Sequence, residues 1–178
     1  MGCLALLAKA DGATVIASSP AVSLAIIDGV NVDLDPMTNF FAANAAAAVF
    51  EATGDERFLQ VLQSFLQKKD TMIESLQQKE SESEYRWISL NWMSDLLRSH
   101  RSEFVLLSTI GLTHLLQNPF NIPLLTPDDM EVIVLLQHHP NDQVRSVWKQ
   151  YVLPFLVKMR FNPPKLQTII QFLHNVWK

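Results

Sequence analysis

The chain has 178 residues, of which 48% are apolar and only 18% charged; that is too apolar for a disordered chain, and five Gly with nine Pro exclude a collagen-like or low-complexity one. Fourteen basic residues against eighteen acidic ones give a net charge of −4, a balance that argues against a nucleic-acid partner. The length suits one domain over 1–178, burying roughly 70% of its unfolded surface, or one slice of a longer assembly.

Cys3 is the only cysteine, so neither an intrachain disulfide nor a multi-cysteine metal cage can form, as suits an intracellular setting in cytoplasm or nucleus. Met1-Gly2-Cys3-Leu4-Ala5-Leu6 carries the Gly2 and Cys3 of dually acylated proteins, but Leu6 stands where N-myristoylation prefers Ser or Thr. Acylation and a plain apolar helix start are both open. Lys9 and Asp11 interrupt the apolar run too early for a signal peptide, and the stretch from Ala13 to Ile27 is too short and too rich in serine to span a bilayer. A membrane partner is not expected.

Nearly every segment carries helix punctuation. Cys3 to Ala10 reads as a short apolar helix stopped near Gly12. Ser19-Pro20 supplies an N-cap and a first-turn proline for the next, with Gly29 as its stop and Val30 to Leu34 as an extended connector. Asp35-Pro36 repeats the start signal and Gly54 closes a helix that holds Phe40, Phe41, the six alanines between Phe41 and Val49, then Val49 and Phe50; so apolar all round, it is expected at the centre. Asp55 caps a helix with Phe58, Leu59, Leu62, Phe65 and Leu66 at spacings of 3 and 4, continued by Met72, Ile73 and Leu76.

Residues 79–84, Lys-Glu-Ser-Glu-Ser-Glu, form a polar inter-helix loop, open to a second reading as a phosphorylatable acidic switch. Ile88, Trp92, Met93, Leu96 and Leu97 form one stripe. Ser102-Glu103 opens a helix that Asn118-Pro119 breaks. Thr126-Pro127-Asp128-Asp129 is an N-cap, a first-turn proline and two acids at the positive end of the dipole. Asn141-Asp142 opens a helix running to about Arg160, which Pro154 is expected to kink, and Asn162-Pro163-Pro164 opens the last. This is an all-α chain of about ten helices joined by short connections. Its expected core includes Phe40, Phe41, Val49, Phe50, Leu59, Leu62, Trp92, Leu96, Leu107, Val144 and Leu173.

His139-Pro140-Asn141-Asp142-Gln143-Val144-Arg145 resembles the inter-helix turn of armadillo and HEAT-type repeats, an Asp-Pro-x-x-x-Val-Arg string between paired helices. Pro140, Val144 and Arg145 match; His139 replaces the family's Asp, and Trp148 the small residue that usually follows Val-Arg. The resemblance implies antiparallel helix pairs stacked as a short α-solenoid, with Val144 in the core and Arg145 along the repeat ladder. The chain is also similar to a piece of the meiosis inhibitor protein family, large armadillo-like proteins of meiotic recombination. That likeness implies a nuclear setting and no residue roles.

No phosphate loop, Gly-x-Ser-x-Gly, His-Glu-x-x-His, Cys-x-x-Cys or EF-hand pattern occurs, so neither catalytic, metal nor cofactor residues are assigned and an enzyme is not expected. His138 and His139 diverge at a helix end, where they complement the dipole; Asp128, Asp129 and Glu131 are read as first-turn acids, not as a metal cluster. After Asp142 there is no acid, while Arg145, Lys149, Lys158, Arg160, Lys165 and Lys178 are basic. Arg145, Lys149, Trp148, Lys158 and Arg160 are therefore the candidate partner-binding residues, facing other proteins with an acidic segment. The leading expectation is a non-catalytic protein-interaction scaffold; the alternatives are an acylated membrane-surface adaptor and an enzyme on an all-α fold. A first helix with Lys9 as its only charge, a last helix ending at Trp177-Lys178 and a mean hydropathy of +0.11 further suggest an incomplete folding unit that self-associates through apolar ends.

Overall fold

Capping chemistry sets most of the helix boundaries. The structure, a computed structural model, describes residues 1–31, 35–78, 95–117 and 125–159, with Gln78, Lys158 and Met159 described by backbone alone. Among these residues every regular element is helical. The chain divides into two compact units, Met1–Glu80 and Ser81–Lys178. The division falls inside the polar stretch 79–84, which lies outside the described residues, as do Trp92, Leu173 and the break at Asn118-Pro119.

In the first unit, α1 spans Gly2–Ser18, α2 Pro20–Asn31, α3 Pro36–Thr53, α4 Glu56–Gln67 and α5 Lys69–Gln78. The first helical run stops directly before Gly12, as expected, and a second run follows within α1. The break is at Asp11 (φ −159°, ψ 82°), whose Oδ1 accepts from the Thr14 amide at 3.0 Å and so caps a second helical segment that continues to Ser18. Ser19 caps α2 as expected, its Oγ accepting from the Ala21 amide. Gly29, in contrast, does not end α2; the helix runs two residues further, which takes Val30 and Asn31 out of the expected connector.

Both glycines mark close approaches to α3. A Cβ at Gly12 would stand 3.0 Å from the Ala52 Cβ, 3.2 Å from the Ala48 carbonyl oxygen and 3.2 Å from the Val49 Cα. At Gly29 it would stand 2.9 Å from the Ala42 Cβ and 2.8 Å from the Met1 Cε. The Asn39 side-chain amide donates to the Gly29 carbonyl at 2.7 Å, satisfying one of the carbonyls that the last turn of a helix leaves open. Met1, Gly29 and Ala42 thus meet at one end, and Gly12 with Ala48 to Ala52 at the other. α1 and α3 therefore run in the same direction, with α2 returning between them in the chain.

α3 is central, as its composition predicts. Asp35 accepts from the Thr38 amide at its start, and Gly54, left-handed at φ 69°, donates to the Phe50 carbonyl at its end. Phe40, Phe41, Val49 and Phe50 are buried, with the alanines Ala42, Ala43, Ala45, Ala46 and Ala47. α1, α2, α4 and α5 all pack on α3, and α2 also packs on α4. α4, capped by Asp55, buries Phe58, Leu59, Leu62, Phe65 and Leu66.

In the second unit, α6 spans Ser102–Gln117 and α7 Pro127–Leu135, the latter tightening into a 3-10 turn over Leu136–His138. α8 spans Asp142–Val147, a π-helical turn covers Trp148–Val152, and α9 follows over Leu153–Met159. Thr126 and Asp129 form a reciprocal capping box at the start of α7. α8 and the π turn pack on α6, and the 3-10 turn packs on both. Leu96, Leu107 and Val144 are buried.

The regular α-helical ladder is interrupted directly before Pro154, as expected, but the helical run does not end there. The chain continues through it, after widening: the Leu153 amide donates to the Trp148 carbonyl, five residues back. Proline lacks an N–H and its ring collides with the carbonyl four residues earlier, here Gln150. One wide turn moves that carbonyl aside without breaking the helix.

Candidate interaction surface

The turn between α7 and α8 is built from local hydrogen bonds. Pro140 follows the 3-10 turn, and Asn141 caps α8, its Oδ1 accepting from the amides of Gln143 at 2.8 Å and Val144 at 3.3 Å. Val144 is fully buried, as the HEAT-like string implies. Arg145 folds back over the turn: its guanidinium donates to the carbonyls of His139 and, at 2.8 Å, Pro140, and pairs with Asp142 one helical turn earlier. Its planar fork closes the turn from outside.

Trp148 is buried, and its Nε1 donates to the Ile133 carbonyl at 2.8 Å. Ile133 lies in the last turn of α7, where carbonyls lack regular helical partners. Ile133 and Trp148 stand at nearly equal distances along the chain from Pro140, so the indole ties the end of α7 to the π turn that follows α8, across the bend. This corrects the expectation of an exposed aromatic in a basic patch: Trp148 belongs to the core.

The candidate cations are placed unequally. Arg145 is half-buried and occupied by the turn, whereas Lys149, one helical turn later, is exposed beside exposed Ser146 and Gln150. Lys158 lies in α9 with its backbone alone described, and Arg160 lies outside the described residues. Pro154 and Val157 add exposed apolar surface on the same stretch of chain.

The histidine reading also changes. His139 does not serve as a cation at a helix end: its Nδ1 accepts from the Asn141 amide at 3.1 Å, which requires the unprotonated nitrogen. Burial, and then the nearby Arg145 charge, hold its pKa below the ordinary histidine value of 6.5. Asp129 is used in the capping box and pairs with Arg98 at 3.6 Å. Among the described residues, no three His, Cys, Asp or Glu side chains stand close enough to hold a metal ion. Among them too, no helix is long and apolar enough to cross a membrane. Cys3 is exposed.

The roles that sequence reasoning missed are those of Trp148 and His139. The departure of Trp148 from the small residue of the HEAT string was the available signal. No protein family, curated protein or solved structure matches the chain.

Proposed function

We propose that the chain is a non-catalytic protein-interaction scaffold built on stacked helix pairs, like the armadillo and HEAT repeats that its turn resembles. The observation that carries this reading is the packing of the first unit. In a closed four-helix bundle, helices one and four are neighbours while one and three lie across the diagonal. Here α1 packs along α3 in the same direction and α2 packs on α4. That is the relation of a pair α1–α2 laid on a pair α3–α4.

Three ionisable groups of this segment are engaged in holding the fold. Arg145 closes the turn, Asp129 caps α7, and His139 accepts a backbone bond. The partner surface centres on Lys149, in a segment with no acid after Asp142, and takes an acidic peptide. The similarity to the meiosis inhibitor family extends the proposal to a nuclear setting in a larger assembly. Acylation at Gly2 requires removal of Met1, which would strip the Met1 contact over Gly29.

The test is affinity capture from cells with three forms of the chain: wild type, Lys149→Glu and Gly2→Ala. A scaffold of this kind recovers the same stable protein partners with wild type and Gly2→Ala, and loses them with Lys149→Glu at unchanged helical content. Partners recovered equally by Lys149→Glu would remove Lys149 from the interface. Membrane association lost in Gly2→Ala, with an acyl group on the N-terminus by mass spectrometry, would establish the adaptor instead.

A further inference from the structure

We propose that His139 is a protonation-sensitive latch on the turn joining α7 to α8. Five hydrogen bonds converge on residues 139–141. The Asn141 amide donates to His139 Nδ1, the Arg145 guanidinium donates to the carbonyls of His139 and Pro140, and Asn141 Oδ1 holds the first amides of α8. The first of these needs a lone pair on Nδ1. A proton there converts the acceptor into a donor facing a donor, and places a second cation beside Arg145.

Among the described residues no acid is ion-paired with His139 to offset that charge. Asp128 and Asp129 lie in the first turn of α7, at the far end of that helix from His139, Glu131 lies at its middle, and Asp142 is paired with Arg145. His138 precedes it on the 3-10 turn, and Lys149 on the π turn adds positive charge. On α6, which packs on α8 and the π turn, the titratable groups are Glu103 and His114. Arg145 is the charge that acts on His139, and it opposes protonation. Protonation therefore loosens the turn and the cap of α8 together, and frees the Arg145 guanidinium from the two carbonyls. The HEAT-type Asp would lack this response near neutral pH, since it is already ionised there. The latch does not depend on the scaffold reading.

The experiment is nitrogen-15 NMR of the intact chain between pH 7.5 and 5, in wild type and His139→Asn. An Asn side chain keeps an oxygen acceptor near Nδ1 and does not titrate. In wild type, neutral His139 should carry its proton on Nε2 and titrate below 6.5. As it titrates, the Asn141, Gln143 and Val144 amides should exchange roughly tenfold faster than expected from pH alone, while α3 amides do not. In His139→Asn the same amides should keep their protection throughout. An Nδ1-protonated neutral ring, a titration at or above 6.5, or the same acid loss in His139→Asn would overturn the latch. Should His139→Asn fail to fold, the wild-type tautomer and titration decide it alone.

Discussion

At the scale of residues, two glycines of similar appearance in the sequence do different work. Gly54 needs its left-handed backbone and has open space around its missing Cβ, whereas Gly12 needs the space. Gly54→Ala should cost about 1–2 kcal/mol for the left-handed conformation, and Gly54→Asn should recover part of it because Asn tolerates that region. At Gly12 an added methyl meets backbone atoms of α3 that cannot turn away. Gly12→Ala gains at most about 1 kcal/mol of helix propensity and loses about 1–3 kcal/mol to overpacking, so it should be destabilising, and Gly12→Asn should be worse. Urea unfolding of the four variants separates the two mechanisms; rescue by Asn at Gly12 would show that its backbone, not its contact, matters. Phe50 is a simpler case: buried on α3, it should cost about 3–5 kcal/mol when cut to Ala. A loss under about 1 kcal/mol would mean that α3 is not central.

At the scale of elements, caps were legible and crossings were not. Asp35-Pro36, Thr126-Pro127 and Asn141 act on amides two or three residues away, so their chemistry is complete within the local sequence. Gly29 reads as a stop for the same local reason, but its use is set by Ala42 and Asn39 on another helix. Trp148 likewise finds its partner at Ile133, fifteen residues away, and Arg145 prefers its own turn to a neighbouring repeat. The π turn before Pro154 lies between these cases. Val144, Val147, Trp148, Tyr151 and Val152 are all buried at spacings that a regular α-helix already satisfies. The wide turn is therefore the work of proline, not of the core. Pro154→Ala should restore the regular ladder through 148–158 and raise stability by up to about 3 kcal/mol, the interior cost of proline. Amide exchange would show new protection at residue 154; a persistent wide turn with no gain in stability would place its cause in the packing around Tyr151.

At the scale of the whole molecule, the all-α class follows from punctuation and from the scarcity of two-residue alternation. The order in which helices meet does not, because it is decided by side chains far apart in the chain, such as Gly12 with Ala48 and Ala52. The exposed Leu7 and Leu24 on α1 and α2 show the same limit, since hydrophobicity alone would have placed both inside. The central claim is that the first unit is one helix pair laid on another. Its most direct test is the network of methyl contacts seen by NMR on the full chain. Stacked pairs require contacts from the Gly12 α-protons to the Ala52 methyl, from the Met1 methyl to Ala42 across Gly29, and between α2 and α4, with α1 and α4 apart. Strong α1–α4 contacts in place of the α1–α3 set would contradict stacking and establish a closed four-helix bundle.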